Sequence, residues 1–219
     1  AYHLAADVWS GYFGQNNNWQ GGRNHLNYVM VDSWISASYQ AAYSSVLDSW
    51  KKIKVEHEKI GMPETFALAQ ILKISAWHKA TDMFGPIPYK HAGEPILIVP
   101  YDSQEDVYQY FFEDLSEAIN ILTPIAEQNG RLMTDYDAVY GGNIRKWVQY
   151  ANSLQLRLAM RIRYVDPSKA QQYAEEAVNH QIGVITAKED EAQISKGAGS
   201  VFVNNIEWLD RQYNESRMG

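Results

Sequence analysis

Aromatic and amide side chains are concentrated within the first 25 residues of the chain. Tryptophans and tyrosines stand there among glycines, asparagines and glutamines, and neither helical nor strand periodicity is present, which predicts an irregular loop over residues 1–25. An aromatic ring can stack on the C–H face of a sugar while amide and guanidinium groups pair with its hydroxyls. The candidates for glycan contact are therefore Trp9, Tyr12, Asn17, Trp19 and Arg23. A second interpretation stays open, in which these aromatics only anchor a surface loop on the next helix.

The acidic side chains do not form a recognisable catalytic pattern. Neighbouring carboxylates occur at Glu113/Asp114, Asp135/Asp137 and Glu175/Glu176. Adjacent acids on a helix point in different directions, which favours surface charge over the paired acid and base of a hydrolase. The sequence also has no nucleophile elbow, phosphate loop or dinucleotide fingerprint. We therefore predict no catalytic residue and no cofactor.

Metal-binding motifs are incomplete. His57-Glu58 begins like a zinc helix motif, but Gly61 stands where the second histidine is required. His78 and Asp82 are four residues apart and could share a ligand, although an ordinary hydrogen bond is the simpler interpretation. The chain has no cysteine, which excludes disulfides, zinc–thiolate sites and cysteine nucleophiles. We predict no metal site.

The composition is that of an ordinary globular protein. Its 219 residues suffice for one or two domains, and 46% of them are hydrophobic. A formal net charge of -7 argues against nucleic acid as a partner, because such a protein must neutralise phosphates. No stretch reaches 18 consecutive apolar residues, so no membrane-spanning helix is predicted.

Apolar residues recur at spacings of three and four through the middle of the chain and predict helices over residues 26–181. Two α-hairpins are expected, formed by residues 26–59 with 62–84 and by residues 143–164 with 167–181. Helix 26–59 is either continuous or kinked near Asp32. Another helix starts at Asp102 or Ser103 and ends near Thr123-Pro124. The predicted fold class is all-α, a stack of α-hairpins with long irregular loops, in a single domain over residues 1–219.

Separate structural predictions apply to residues 85–100 and residues 182–219. Six prolines and glycines restrict the loop of residues 85–100, and its apolar run 96–99 is expected to enter the core. The helical periodicity fades over residues 182–219, which are predicted to form turns and irregular structure, with a short strand at residues 201–203.

Residues 137–163 organise the predicted fold. Gly141 and Gly142 provide backbone freedom, and Asn143 can cap the helix that follows. That helix carries a broad apolar face, with Arg157 and Arg161 beside it as partners for carboxylates on neighbouring elements.

This stretch also carries a family resemblance. An aspartate, then Tyr-Gly-Gly-Asn, a tryptophan and Ala-Asn-Ser-Leu-x-Leu-Arg-x-Ala-x-Arg resemble the pattern of the SusD/RagB family. The turn at residues 82–89 and the helix that bears Tyr108, Asp114 and Ala118 are similar to two further family motifs. The match extends over roughly residues 34–185.

The resemblance implies a function and a location. SusD/RagB proteins are non-catalytic, surface-exposed lipoproteins of the outer membrane that bind oligosaccharide and deliver it to a SusC-like TonB-dependent transporter. Their helices pack in a tetratricopeptide-like manner. Family members are considerably longer, so we expect a fragment, truncated at its N-terminus and after Gly219, whose only membrane attachment is a lipid anchor upstream of this chain. The glycan is not specified, and a peptide cargo stays possible.

Two other functions remain open at this point. A helical protein rich in tryptophan and tyrosine could be a carbohydrate-active hydrolase, which would turn over a polysaccharide. It could instead be a tetratricopeptide-like scaffold, which would bind an extended peptide and have no affinity for sugar.

Overall fold

Seven α-helices account for most of the residues that the computed structural model describes, which are 9–11, 13–15, 17–194, 196–197, 200–201, 205–214 and 216–218. The helices are α1 (Asp32–Ala42), α2 (Asp48–Ile60), α3 (Pro63–Phe84), α4 (Gln104–Glu127), α5 (Ile144–Ile162), α6 (Pro167–Asn179) and α7 (Asn205–Tyr213). Four short strands are β1 (Phe13–Gln15), β2 (Lys196–Gly197), β3 (Ser200–Val201) and β4 (Ser216–Met218).

The chain divides into two compact units. The first comprises residues 1–45 and 200–219, and the second comprises residues 46–199. The division falls within a π-helical turn at Tyr43–Leu47. The prediction of one domain did not include this division.

Consecutive helices of the second unit pack on one another. Each of α2, α3, α4 and α5 contacts the helix that follows it, which is the arrangement of stacked α-hairpins. The largest fully buried side chains of the stack include Ile71, Ile74, Trp77, Phe111, Leu115 and Leu158. The predicted all-α class is confirmed.

Two helix starts show the expected local chemistry. The Asn143 side chain accepts a hydrogen bond from the Lys146 amide at 3.2 Å, which caps α5 as predicted. Ser103, and not Asp102, caps α4 by accepting from the Asp106 amide at 3.1 Å. The Asp102 carboxylate lies in the preceding loop and accepts from the backbone amides of Tyr89 and Lys90, each at 2.8 Å.

The Asp137 carboxylate organises the glycine turn before α5. It accepts hydrogen bonds from the amides of Val139, Tyr140 and Gly142 and from the Trp147 indole, at 2.8–3.1 Å. Burial by itself raises the pKa of Asp137, but these four bonds outweigh it and the pKa is lowered. The Asp-x-x-Tyr-Gly-Gly-Asn motif is thus a turn that starts a helix.

The turn after α3 is built around Tyr89, which is buried. Its ring meets Trp77 and Phe111 edge to face, at centroid distances of 5.5 and 5.0 Å. Its hydroxyl donates to Asp114 on α4 at 2.5 Å. The second family motif is therefore also structural, because it joins α3 to α4 through a buried aromatic ring.

Two predicted helix boundaries are wrong. Residues 28–31 are not helical, and α1 begins at Asp32, where the kink was expected. Helix α4 continues through Pro124 to Glu127. Proline removes the bond to the carbonyl of Asn120, which lies on the exposed face of α4 and can be solvated instead, so the helix tolerates it.

The expectation that residues 96–99 enter the core is also wrong. The side chains of Ile96, Leu97 and Ile98 are 43%, 100% and 81% exposed. The loop is held at its two ends, through the backbone bonds between Ile87 and Asp102, so its middle need not pack.

The segment 182–219 is not wholly irregular, because α7 occupies residues 205–213. A nine-residue helix has little stability alone, and here the carbonyl and ring of Tyr213 meet residues of the N-terminal loop. Of the predicted strand at 201–203, Val201 belongs to β3, whereas Phe202 and Val203 lie outside the described residues. Among the described helices, none combines the length and hydropathy needed to cross a bilayer.

Candidate functional site

The candidate site lies in the first unit, where two 3₁₀ turns at Trp19–Gly22 and His25–Asn27 shape the loop before α1. Asn24 joins them. Its carboxamide donates to the Trp19 carbonyl at 2.9 Å and accepts from the Leu26 amide at 3.0 Å. Asn24 is buried, so these bonds fix the backbone of the loop instead of facing a ligand.

His25 is the buried centre of the loop. Its Nε2 accepts from the Val31 amide at 2.9 Å, and its ring meets Trp34 of α1 edge to face at 5.4 Å. The Trp9 indole donates to the His25 carbonyl at 2.7 Å. These contacts support the interpretation that aromatics anchor the loop on the next helix, at least for its inner layer.

The outer layer of the loop is an aromatic pair. The rings of Trp9 and Tyr28 are within 10° of parallel, with centroids 6.4 Å apart. Trp9 is 40% exposed and Tyr28 is 81% exposed. We call this pair the platform, because an aromatic ring with most of its surface open to solvent can stack on the C–H face of a sugar.

Tyr28 is held in an unusual backbone conformation. Its φ and ψ are 56° and 25°, the left-handed region, which a bulky residue other than glycine rarely adopts. The Tyr28 amide donates to the His25 carbonyl at 3.0 Å, and the Val29 amide donates to the Asn24 carbonyl at 3.1 Å. These two bonds hold the Tyr28 backbone in the left-handed region, and backbone strain of this kind clusters at functional sites.

A second aromatic group connects the loop to the C-terminal part of the same unit. The Trp19 ring meets Tyr213 of α7 edge to face at 5.4 Å, and Tyr213 meets Trp208 in the same way at 5.6 Å. Asn17 donates from its side chain to the Tyr213 carbonyl at 2.8 Å. Strand β1 pairs antiparallel with β4, which adds a second connection.

The five predicted site residues have different environments. Trp9 belongs to the exposed platform, Arg23 is exposed on the same loop, and Trp19 is half-buried against Tyr213. Asn17 uses its amide group to hold α7. Tyr12 lies outside the described residues.

Tyr28 was missed by the sequence reasoning, as were Trp208 and Tyr213. Tyr28 follows the glycine- and asparagine-rich segment and lies where a helix was predicted, so its exposure could not be anticipated. The aromatics of α7 are 180 residues or more away in sequence from Trp19, and only the tertiary structure brings them together.

The carboxylates and histidines considered for catalysis have structural partners. Asp114 faces the core and accepts from Tyr89, whereas the neighbouring Glu113 is exposed and accepts from Gln109. His78 lies in the core with its Nδ1 3.1 Å from the Ile74 carbonyl, and burial lowers its pKa. Within the part of the chain that is described, no three His, Asp or Glu side chains are grouped as metal ligands would be.

The chain was compared with known protein families and with solved structures. The family profile of SusD-like proteins, described as SusD and RagB outer membrane lipoproteins, matches residues 1–219. A chitin-binding SusD homolog from Flavobacterium johnsoniae is 32% identical and superposes with a TM-score of 0.89. A SusD homolog from Bacteroides uniformis is 32% identical with a TM-score of 0.85, and a chitin-binding protein is 28% identical with a TM-score of 0.72. No curated protein matches the sequence.

The alignments cover nearly all of this chain but less than half of its relatives. They include 100%, 99% and 88% of this chain, and 46%, 45% and 40% of the Flavobacterium, Bacteroides and chitin-binding proteins respectively. The chain thus corresponds to under half the length of each of these relatives.

Proposed function

This chain belongs to the SusD-like family of outer membrane lipoproteins, and from that premise we propose that it captures glycans at the cell surface without cleaving them. The resemblance read from residues 34–185 predicted this family and its outer-membrane location, and both are confirmed. The proposal adds the ligand class, the site and the absence of catalysis.

The observation that carries the proposal is the exposed platform of Trp9 and Tyr28. With the Trp9 ring as its neighbour, Tyr28 is still 81% exposed although its backbone is strained. Exposing an aromatic ring and adopting a left-handed backbone both cost free energy, and a ligand that stacks on the ring would offset the first cost. Two of the similar solved structures are described as chitin-binding, which supports a sugar as that ligand.

We assign amide and guanidinium groups of the same loop to the proposed site. Arg23 and Asn27 are exposed on the same loop, and Asn27 already donates one bond to the Gly22 carbonyl. Such groups can pair with sugar hydroxyls while the rings stack on the C–H face. Asn17 and Trp19 would act indirectly, by fixing the loop to α7.

Binding measurements on the full-length protein test the site. We expect Tyr28→Ala to weaken glycan binding about tenfold, the equivalent of one lost stacking contact of about 1.4 kcal/mol, and Tyr28→Phe to keep it. Isothermal titration with hexasaccharides of β-1,4-linked N-acetylglucosamine, β-1,4-linked glucose and α-1,4-linked glucose provides the affinities. Tyr136 is a matched control, because it is a tyrosine of the second unit with a similar exposure of 84%.

The outcomes separate the candidate functions. Binding that Tyr28→Ala weakens and Tyr136→Ala leaves unchanged supports the platform. Release of shorter sugars from the bound glycan would identify a hydrolase instead. Binding of extended peptides with no affinity for any of the three sugars would favour a peptide-binding scaffold.

We further propose that the full-length protein delivers its glycan to a SusC-like TonB-dependent transporter, as the family membership suggests. Affinity purification of the tagged full-length protein from solubilised outer membranes should recover such a transporter in near-equal amount. Recovery of the protein alone, under conditions that preserve other outer-membrane complexes, would contradict this proposal.

A further inference from the structure

The second unit contains an open cleft of about 810 Å³ that no part of the proposed glycan site uses. Its walls come from the C-terminal end of α3, the first turns of α4, and the end of α5 with the turn that leads into α6. This volume is within the range of small-molecule sites in proteins, which is about 300–1,000 Å³.

A fixed polar network forms one wall of the cleft. The Asp82 carboxylate accepts from the Tyr108 hydroxyl at 2.6 Å and forms an ion pair with Arg161, whose Nη2 lies 2.8 Å from Asp82 Oδ2. Burial and the bond to Asp82 raise the pKa of Tyr108, so its hydroxyl remains protonated. Arg161 is half exposed, and a planar guanidinium held by one carboxylate keeps further N–H groups for a ligand.

An aromatic ring stands at the rim of the same cleft. Tyr164, in the turn between α5 and α6, is 83% exposed. The guanidinium of Arg163 lies 4.5 Å from the centroid of the ring and donates to its hydroxyl at 2.7 Å. A cation on one face orients the ring and leaves the opposite face for a ligand.

The charges of the cleft are balanced. The charged side chains that line it are Asp82, Glu105, Asp166, Arg161, Arg163 and Lys169, three acids and three bases. A lining with both signs in equal number selects neither an anion nor a cation, but it offers donors and acceptors together. A neutral, polyhydroxylated ligand with an apolar ring face satisfies all of these features.

We propose that this cleft is a second carbohydrate site, in which a sugar ring stacks on Tyr164 and its hydroxyls pair with Arg161 and the side-chain amides of Gln104 and Gln109 on α4. The inference rests on the proposed function, since it assumes that the protein meets glycans, but it concerns a different unit of the chain and different residues. The chain would then bind two glycans, one at the platform and one in the cleft.

Titration of the full-length protein with the same three hexasaccharides tests the proposal. We expect the wild type to bind two hexasaccharides per chain and Tyr28→Ala to keep one of these sites. Tyr164→Ala should weaken the second site at least fivefold, Tyr164→Phe should preserve it, and Tyr136→Ala should change neither. Tyr164 is on the surface, so its replacement should not disturb folding, and thermal unfolding of each variant verifies this.

Each result has one meaning. A single site that is lost in Tyr28→Ala and unchanged in Tyr164→Ala overturns the cleft proposal and leaves the proposed function standing. Binding that Tyr164→Ala weakens and Tyr28→Ala leaves intact supports the cleft and contradicts the platform. No binding of any of the three sugars to the wild type overturns both, and a peptide that competes for Tyr164 without any sugar affinity overturns the cleft as a carbohydrate site.

Discussion

Lys73 of α3 is the buried cation of the helical stack, with only 3% of its surface exposed. Its Nζ lies 4.0 Å from the ring centroids of both Trp50 and Tyr89, and 3.8 Å from Asp114 Oδ2. Burial lowers the pKa of Lys73 from 10.5 to about 8, although the Asp114 carboxylate raises it. The two aromatic faces and the carboxylate therefore stabilise the ammonium only in part.

The Lys73 site predicts an unusual dependence of stability on pH. Because folding lowers the pKa, the unfolded chain binds this proton more tightly, and the native state is penalised below pH 8. The penalty decreases as the pH rises from about 8 toward 10.5. We expect this group to add about 2 kcal/mol to the free energy of unfolding between pH 7.5 and 9.5, as measured by urea denaturation.

The measurement ends at pH 9.5 because, above pH 10, the titration of Tyr89 lowers the free energy of unfolding instead of raising it. Burial raises its pKa well above 10, so its contribution to stability is lost as the pH rises further. Lys73→Met should remove the increase in stability, whereas the exposed Lys52→Met should retain it. An equal increase in Lys73→Met and wild type would contradict the prediction.

At the scale of elements, the turn before α5 shows why two adjacent glycines are not equivalent. Both have positive φ, 58° at Gly141 and 81° at Gly142. A Cβ at Gly141 would have no neighbour within 4 Å, whereas a Cβ at Gly142 would lie 2.5 Å from the Leu132 carbonyl oxygen. That oxygen belongs to the backbone of a segment that is hydrogen-bonded to the turn, because the Leu132 amide donates to the Gly142 carbonyl.

We expect Gly141→Ala to reduce the free energy of unfolding by about 1 kcal/mol, the cost of a left-handed backbone for alanine. Gly142→Ala should cost more than about 3 kcal/mol, because a backbone atom cannot move away from the new methyl group as a side chain can. Urea denaturation followed by circular dichroism gives both values. Similar losses in the two variants would show that the contact with Leu132 is not decisive.

At the scale of the whole chain, the net charge bears on which class of glycan the proposed site would bind. The chain has 26 acidic and 19 basic residues, a net charge of -7, which repels anionic polysaccharides at long range. The proposed platform holds its ligand by stacking and hydrogen bonds, which salt screens little.

We therefore expect the dissociation constant for a neutral hexasaccharide to change less than about twofold between 50 and 500 mM NaCl, as measured by isothermal titration. Affinity that falls steeply with salt would instead identify an anionic ligand paired with arginine. Arg23→Gln serves as the reference variant, because a neutral ligand should retain its insensitivity to salt when this charge is removed.

The sequence by itself determined the family, the all-α class and most of the second unit. Local signals suffice for these features, because helix periodicity, Asn143 as a cap and the Asp137 turn depend on residues close in the chain. Of the two platform residues, the sequence analysis named Trp9, from its residue type, and not Tyr28. Composition indicated the chemistry without indicating which side chains would face solvent.

Only the tertiary structure decided the remaining features. Tyr28 is exposed in the turn that Asn24 and His25 hold by their carbonyl groups, and Trp19 is half-buried because α7 lies against it. Ile96, Leu97 and Ile98 are exposed because the loop is held at its ends, although their hydrophobicity predicts burial. The cleft between α3, α4 and the turn after α5 depends on contacts 26 to 79 residues apart in the chain, such as Tyr108 and Arg161 with Asp82, which local patterns do not encode.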